Sequence, residues 1–255
     1  MGASIRGHLA TELSFFREDR KGKSDRFLRP FASLADEVFP GTALMGRTRI
    51  KICGITRIED ALLACELGAD AIGLVMAPDS PRCVSIERAR GIRDALPSFV
   101  SAVVLSHDLS AGHLSQIVEQ VRPDVIQFHG SEDAAFCESF DVPYIKAIGM
   151  AGGADAGRIA AAHPRASGLV LDGHAPGAQG GQGRTFDWSL VPRNFDRPVI
   201  LAGGLNADNV VRAIREVRPW AVDVASGVEA APGIKDEARS RAFFAAVRAT
   251  DAESE

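Results

Sequence analysis

Cys53 is the side chain in this sequence best placed to do chemistry. It closes the run Arg49-Ile50-Lys51-Ile52-Cys53, in which Ile50 and Ile52 alternate with Lys51 and Cys53. On a strand, that alternation puts the isoleucines on one face and the lysine and thiol on the other. Gly54 stops the strand, and Thr56 is expected to cap a helix opening at Arg57. A thiol beside a loop can serve as a base once ionised, from an ordinary pKa near ~8.5 that positive surroundings lower. Lys51, one pleat below, supplies such a charge. Inside a core it needs an acid partner, and Asp223 is the expected one. The same octet also reads as an edge strand whose lysine faces water and whose cysteine is a small hydrophobe.

Other polar groups sit where apolar strands end. Asp172 closes Gly168-Leu-Val-Leu-Asp172. As a general acid it would need a raised pKa or a substrate proton within reach; as a structural group it is a cap or an ion-pair partner. Arg82 follows the second strand, and its guanidinium suits a planar carboxylate; the plainer reading is a surface charge. Gln127 and His129 end another strand. Gly203-Gly204 and Ser226-Gly227 follow the last two strands. Barrels often bind phosphate there, because glycine lets backbone N–H groups approach an anion. Each glycine pair alone also reads as ordinary turn chemistry. Cys65, Cys83 and Cys137 lack such settings, and packing is expected of them.

The elements that must position these groups repeat as strand then helix. Apolar strand patterns begin near 49, 70, 100, 124, 143, 168, 198 and 221, and a helical pattern follows each except the Gly168 strand. A Gly-rich loop running to Phe186 follows that one. Eight such units in about 200 residues predict an α/β fold, a single-domain (β/α)8 TIM barrel over 48–255, with its site at the C-terminal strand ends. An open doubly wound sheet is the alternative, but it would usually carry a GxGxxG turn where this chain has Cys-Gly-Ile-Thr. Residues 1–47 read as an N-terminal extension of mixed charge and no clean period, poorly ordered or upstream of a start at Met45.

Bulk composition narrows the function classes. The chain has 255 residues, a net charge of -4 and four cysteines without CxxC spacing. Nothing marks a nucleic-acid binder, a zinc site or a membrane span. With no signal peptide and no long apolar run, the thiols are expected to be reduced, in a cytoplasm.

Together the motifs resemble the phosphoribosylanthranilate isomerase family of tryptophan biosynthesis. The carriers are Lys51-Ile-Cys-Gly-Ile-Thr56, Gly68-Ala-Asp-Ala-Ile-Gly73, Ser80-Pro-Arg82, Gln127-Phe-His-Gly130, Leu171-Asp172, Gly180-Gly181-x-Gly183, Leu201-Ala-Gly-Gly-Leu205 and Val222-Asp-Val-Ala-Ser-Gly-Val-Glu229. The resemblance runs from about Ile50 to Phe244. It implies a monomer or homodimer, no cofactor, no metal, and an Amadori rearrangement of N-(5-phosphoribosyl)anthranilate. It makes Cys53 the base and Asp172 the acid. Arg82 would hold the anthranilate carboxylate, Gly203, Gly204, Ser226 and Gly227 the phosphate, and Gln127, His129 and Asp223 would complete the substrate site. The chain departs from the family pattern at Phe128, Gln182, Ala225 and the third strand region, Val103-Val-Leu-Ser-His-Asp108. The rival readings are another phosphate-binding barrel enzyme, such as an indoleglycerol phosphate synthase or a sugar-phosphate epimerase, and a non-catalytic barrel.

Overall fold

The computed structural model describes residues 47–174, 185–192 and 195–253. The extension up to residue 46, the Gly180-Gly181-x-Gly183 motif and Gln182 lie outside the described residues. Eight parallel strands close in chain order, with β1 paired to both β2 and β8. They are β1 (Arg49–Cys53), β2 (Ala71–Val75), β3 (Ser101–Ser106), β4 (Val125–Phe128), β5 (Tyr144–Gly149), β6 (Gly168–Asp172), β7 (Val199–Leu201) and β8 (Ala221–Val224). The expected (β/α)8 barrel is the observed one, and the open sheet is excluded by the β1–β8 pairing.

Helices α1 (Ile58–Leu67), α2 (Ile86–Ala95), α3 (Ala111–Val121), α4 (Ala134–Glu138), α5 (Ala156–Ala162), α6 (Val210–Val217) and α7 (Glu237–Ala252) form the outer ring. Between β6 and β7 the described residues hold only a 3-10 turn, Trp188–Leu190. Ser85, Ser110, Asp133, Asp155 and Asp236 each accept a backbone N–H in the first turn of the helix they precede. Thr56 does not cap α1. Arg57 occupies that position without a side-chain capping bond, and Thr56 Oγ1 donates to Gly233 O instead.

One element has no counterpart in the strand–helix pattern. After β8, a 3-10 turn (Ser226–Val228) leads into a short antiparallel hairpin, β9 (Glu229–Ala231) with β10 (Ile234–Lys235). Three-residue strands are too short for a periodicity to reveal. This hairpin carries Glu229 and Lys235 to the barrel's upper rim.

Alternation along each strand separates two cores. Outward residues such as Ile50, Ile52, Ile72, Val104 and Val222 pack under the helices. Inward residues Val103, Ile145, Ala147, Val170, Ile200 and Ala221 fill the lumen. Phe128 faces outward, fully buried against Phe136, Phe140 and Tyr144. That departure from the family pattern is therefore absorbed by the outer core, away from the lumen.

Candidate active site

Above the apolar lumen, the inward positions change character. Register places Lys51 opposite Asp223 and Cys53 opposite Gly73. Lys51 Nζ donates to Asp223 Oδ2 at 2.8 Å, with both side chains about 6% exposed. The expected pair is formed, and the edge-strand reading of Lys51 is excluded. A Cβ on Gly73 would stand 2.8 Å from Cys53 Sγ and 3.1 Å from Lys51 Nζ. Glycine there leaves the room that thiol and ammonium share. Burial pushes the Lys51 pKa down, but Asp223 and Cys53 outweigh it and hold the ammonium charged.

The pocket over this layer has two unlike halves. Cys53, Val75, Ala77 and Leu105 form a contiguous apolar patch over β1–β3. Gly203, Gly204, Leu205, Ala225 and Ser226 line the side over β7 and β8. Gly203 and Gly204 both have positive φ, 84° and 65°, a backbone conformation that glycine adopts without strain and that leaves their part of the wall free of side chains. Gly227 is not on the wall. A Cβ there would come within 1.9 Å of Leu205 O, so this glycine serves the close approach of the β7 and β8 loops.

Asp172 closes β6, separated from Cys53 on β1 by β7 and β8. Both line the pocket. His174 accompanies Asp172, its backbone N–H donating to Oδ1 at 3.1 Å and its Nδ1 lying 3.1 Å from the same oxygen. Burial raises the carboxyl's pKa, but His174 outweighs it, and Asp172 rests below the usual carboxylate range. Of the two conditions for a general acid, a raised pKa or a substrate proton within reach, the first is not met in the free site. Cys53 is shifted the other way: burial pushes the thiol up, and Lys51 offsets only part of that. Without substrate, the site thus holds a thiol and a carboxylate.

Gln127 on β4 and His129 just past its end stand together, with Gln127 Nε2 in contact with His129 Nε2. The His129 ring stacks on His174 at 5.5 Å. Burial drives its pKa down to about 3, so it is a neutral imidazole at ordinary pH. His174 has no signal in the sequence, because it follows the strand by two residues and only the fold turns it back onto Asp172.

Arg82 is buried rather than a surface charge. Its Nε donates to Glu229 Oε1 at 2.8 Å and its Nη2 to Oε2 at 2.7 Å. Lys235 Nζ donates to the same Oε1 at 2.8 Å and to Cys53 O at 2.6 Å. Glu229 is thus a hub that fixes Arg82 and ties the hairpin to the end of β1. Sequence reading assigns no role to Glu229 or Lys235, since their hairpin is invisible to it. Arg82 lines the pocket with Nη1 outside this pair.

Among the described residues, no group of three or more His, Cys, Asp or Glu is placed to hold a metal ion. No helix among them is long and apolar enough to cross a membrane.

Fold and pocket define a (β/α)8 barrel whose pocket at the C-terminal strand ends is lined by a thiol and by carboxyl groups. A sequence profile described as N-(5'phosphoribosyl)anthranilate (PRA) isomerase matches residues 50–246. The N-(5'-phosphoribosyl)anthranilate isomerase of Pseudomonas fluorescens is 53% identical over 204 residues, 80% of this chain and 97% of its own. A solved phosphoribosyl anthranilate isomerase in complex with reduced 1-(o-carboxyphenylamino)-1-deoxyribulose 5-phosphate superposes with TM-score 0.71 at 38% identity, covering 79% of this chain and 99% of its own. Monomers generated from the dimeric Thermotoga maritima enzyme give TM-score 0.69 at 36% identity, covering 79% and 98%. The chain belongs to the phosphoribosylanthranilate isomerase family.

Proposed function

We propose that Cys53 and Asp172 carry the family's reaction in this pocket, as base and acid. The activity is isomerisation of N-(5'-phosphoribosyl)anthranilate in tryptophan biosynthesis. The observation that carries the residue assignment is the opposition of a thiol on β1 and a carboxyl on β6 across one pocket. An aminated ribose ring must open before it can rearrange. Asp172 gives a proton to the ring oxygen, the C1–O bond breaks, and the nitrogen lone pair forms a Schiff base. Cys53 thiolate then takes the proton from C2, giving an enolamine that tautomerises to the ketone. One acid and one base suffice, with no change of oxidation state in the protein.

The two pocket halves fit the two ends of this substrate. The aromatic ring lies over the apolar patch of Val75, Ala77 and Leu105, with its carboxylate toward Arg82 Nη1. The phosphate lies at Gly203, Gly204 and Ser226. Asp223, whose Oδ1 is buried and has no partner among the described residues, faces the sugar hydroxyls with Gln127 and His129. The chain works in the cytoplasm as a monomer or homodimer.

The test uses freshly made phosphoribosylanthranilate, followed by loss of its fluorescence. Wild type should turn over. Cys53→Ser and Asp172→Asn should each lose two or more orders of magnitude in kcat, about 3 kcal/mol or more in barrier height. If Cys53→Ser keeps more than about a tenth of wild-type kcat, a loss under ~1.4 kcal/mol, Cys53 is not the base.

A further inference from the structure

Arg82 holds its guanidinium against Glu229 through two hydrogen bonds. That contact uses the side fork of Nε and Nη2, and leaves both Nη1 N–H groups and the second Nη2 N–H for an incoming carboxylate. A planar aryl carboxylate has two oxygens, and Arg82 leaves the Nη1 end for them. Each carboxylate oxygen can accept more than one hydrogen bond, so a further donor at the apolar end of the pocket can share the group with Arg82.

Strand register supplies one. Val75 on β2 stands opposite Leu105 on β3, and Leu105 stands opposite Gln127 on β4. These three residues line the pocket. Two residues further along each chain, the next inward positions are Ala77, His107 and His129, and all three line it too. The ladder still holds at this level, since His129 N donates to Ser106 O at 2.9 Å and Met76 N to Leu105 O at 3.0 Å. His107 thus stands at the mouth directly above the apolar patch, with small Ala77 between it and the loop that carries Arg82. Its Nε2 is buried and has no partner among the described residues. Behind the ring, Asp108 Oδ2 lies 3.6 Å from Nδ1, too far for a hydrogen bond, and Asp108 Oδ1 is taken by Ser131 N and Oγ. Asp108 and His129 are the titratable groups nearest the ring along its own strand and its neighbour. Among the described residues nothing bonds Nε2, and the residue lines the pocket.

We propose that His107 is a specificity-determining residue that donates Nε2–H to the substrate's aryl carboxylate, sharing it with Arg82. One neutral tautomer and the protonated ring both present that donor. This rests on the reading that places the aryl ring over Val75, Ala77 and Leu105. His107 lies in the third strand region, where this chain departs from the family pattern, and the departure is thus read as a change in how one substrate group is gripped.

The experiment compares two probes by titration calorimetry. One is the reduced product analogue bearing the ring carboxylate; the other is the same compound built from aniline, which lacks it. Wild type should prefer the first. His107→Leu should weaken the carboxylated probe about tenfold and leave the aniline probe within about twofold, the loss of one hydrogen bond to a charged group. His107→Gln, which keeps an N–H donor, should recover most of the preference. In wild type labelled with 15N, the His107 Nε2 resonance should shift with the carboxylated probe and not with the other, which tests the contact without any substitution. Equal weakening of both probes by His107→Leu, or no shift of Nε2, overturns the proposal. If Arg82→Ala loses the preference and His107→Leu keeps it, only His107 is wrongly assigned. If wild type itself shows no preference, the aryl-carboxylate subsite falls, and the proposal with it.

Discussion

A base should hold no proton and an acid should hold one, yet burial raises the Cys53 thiol while His174 lowers Asp172. With the carboxyl's pKa below the thiol's, the productive pairing of thiolate and carboxylic acid is a minor state between the two values. Below the lower pKa the thiolate is lost faster than the acid is gained, and above the higher one the acid is lost without further thiolate. The free-enzyme profile, kcat/KM against pH, is therefore a broad plateau across neutrality. Its acid limb should fall in or below the carboxylate range and its alkaline limb above the ordinary thiol value. That reverses the simple expectation of a rising limb set by the thiol. A rising limb at neutral to mildly alkaline pH, removed by Cys53→Ser, would show that Cys53 ionises below Asp172. The His129 ring beside His174 stays neutral across the plateau, and its protonation at about 3 overlaps only the acid limb.

At the scale of elements, the site is held by buried charges that join strands far apart in sequence. Lys51 on β1 pairs with Asp223 on β8, and Glu229 and Lys235 bring the β9–β10 hairpin onto Arg82 and the end of β1. Removing one member of such a pair costs about 3–5 kcal/mol, chiefly because the other charge stays buried and unpaired. Lys51→Met should lower stability by that order. Lys51→Ala should lower it further, by adding a cavity. Lys51→Met with Asp223→Asn should be more stable than Lys51→Met alone. Asp223 is pushed up by burial even with Lys51 beside it, and losing Lys51 raises it further. A carboxyl raised on folding destabilises as pH rises through its folded pKa, because the unfolded chain ionises more readily. The Lys51→Met penalty should therefore be larger at pH 8 than at pH 5, and urea midpoints at the two values measure it. An equal penalty at both would mean that Asp223 finds another partner in the variant.

At the scale of the whole molecule, the start of the first strand is anchored to distant elements. Arg47 pairs with Asp70, and Thr48 N and Oγ1 donate to Asp251 on α7, which ties the start of β1 to the last helix. The 204 residues shared with the Pseudomonas fluorescens relative make up 97% of that protein. The segment before Met45 lies outside the shared barrel. A chain starting at Met45 should keep its melting temperature within about 2 °C, less than a 1 kcal/mol change produces in a domain of this size. Its turnover should also be unchanged. A drop of several degrees, or insolubility, would mean that the Phe15-Phe16 or Phe27-Leu28 clusters pack on the barrel.

The sequence by itself determined the barrel, its strand ends and most of the rim. The period-two strands, the αL glycine that stops α1 and the polar residues ending apolar runs are local signals, carried by propensity and pattern. Lys51 and Asp223 were readable as partners because a lysine inside a closed barrel requires an acid. Tertiary structure alone decided how the groups are charged and which of them are free. Asp172 is lowered rather than raised because a histidine two residues on folds back over it. Arg82 is half engaged because a hairpin too short to show a period delivers Glu229. Gly227 lets two loops approach closely instead of lining the pocket, and Thr56 bonds the hairpin instead of capping α1. These outcomes depend on contacts between elements distant in the chain and on burial, and neither has a trace in the local order of residues.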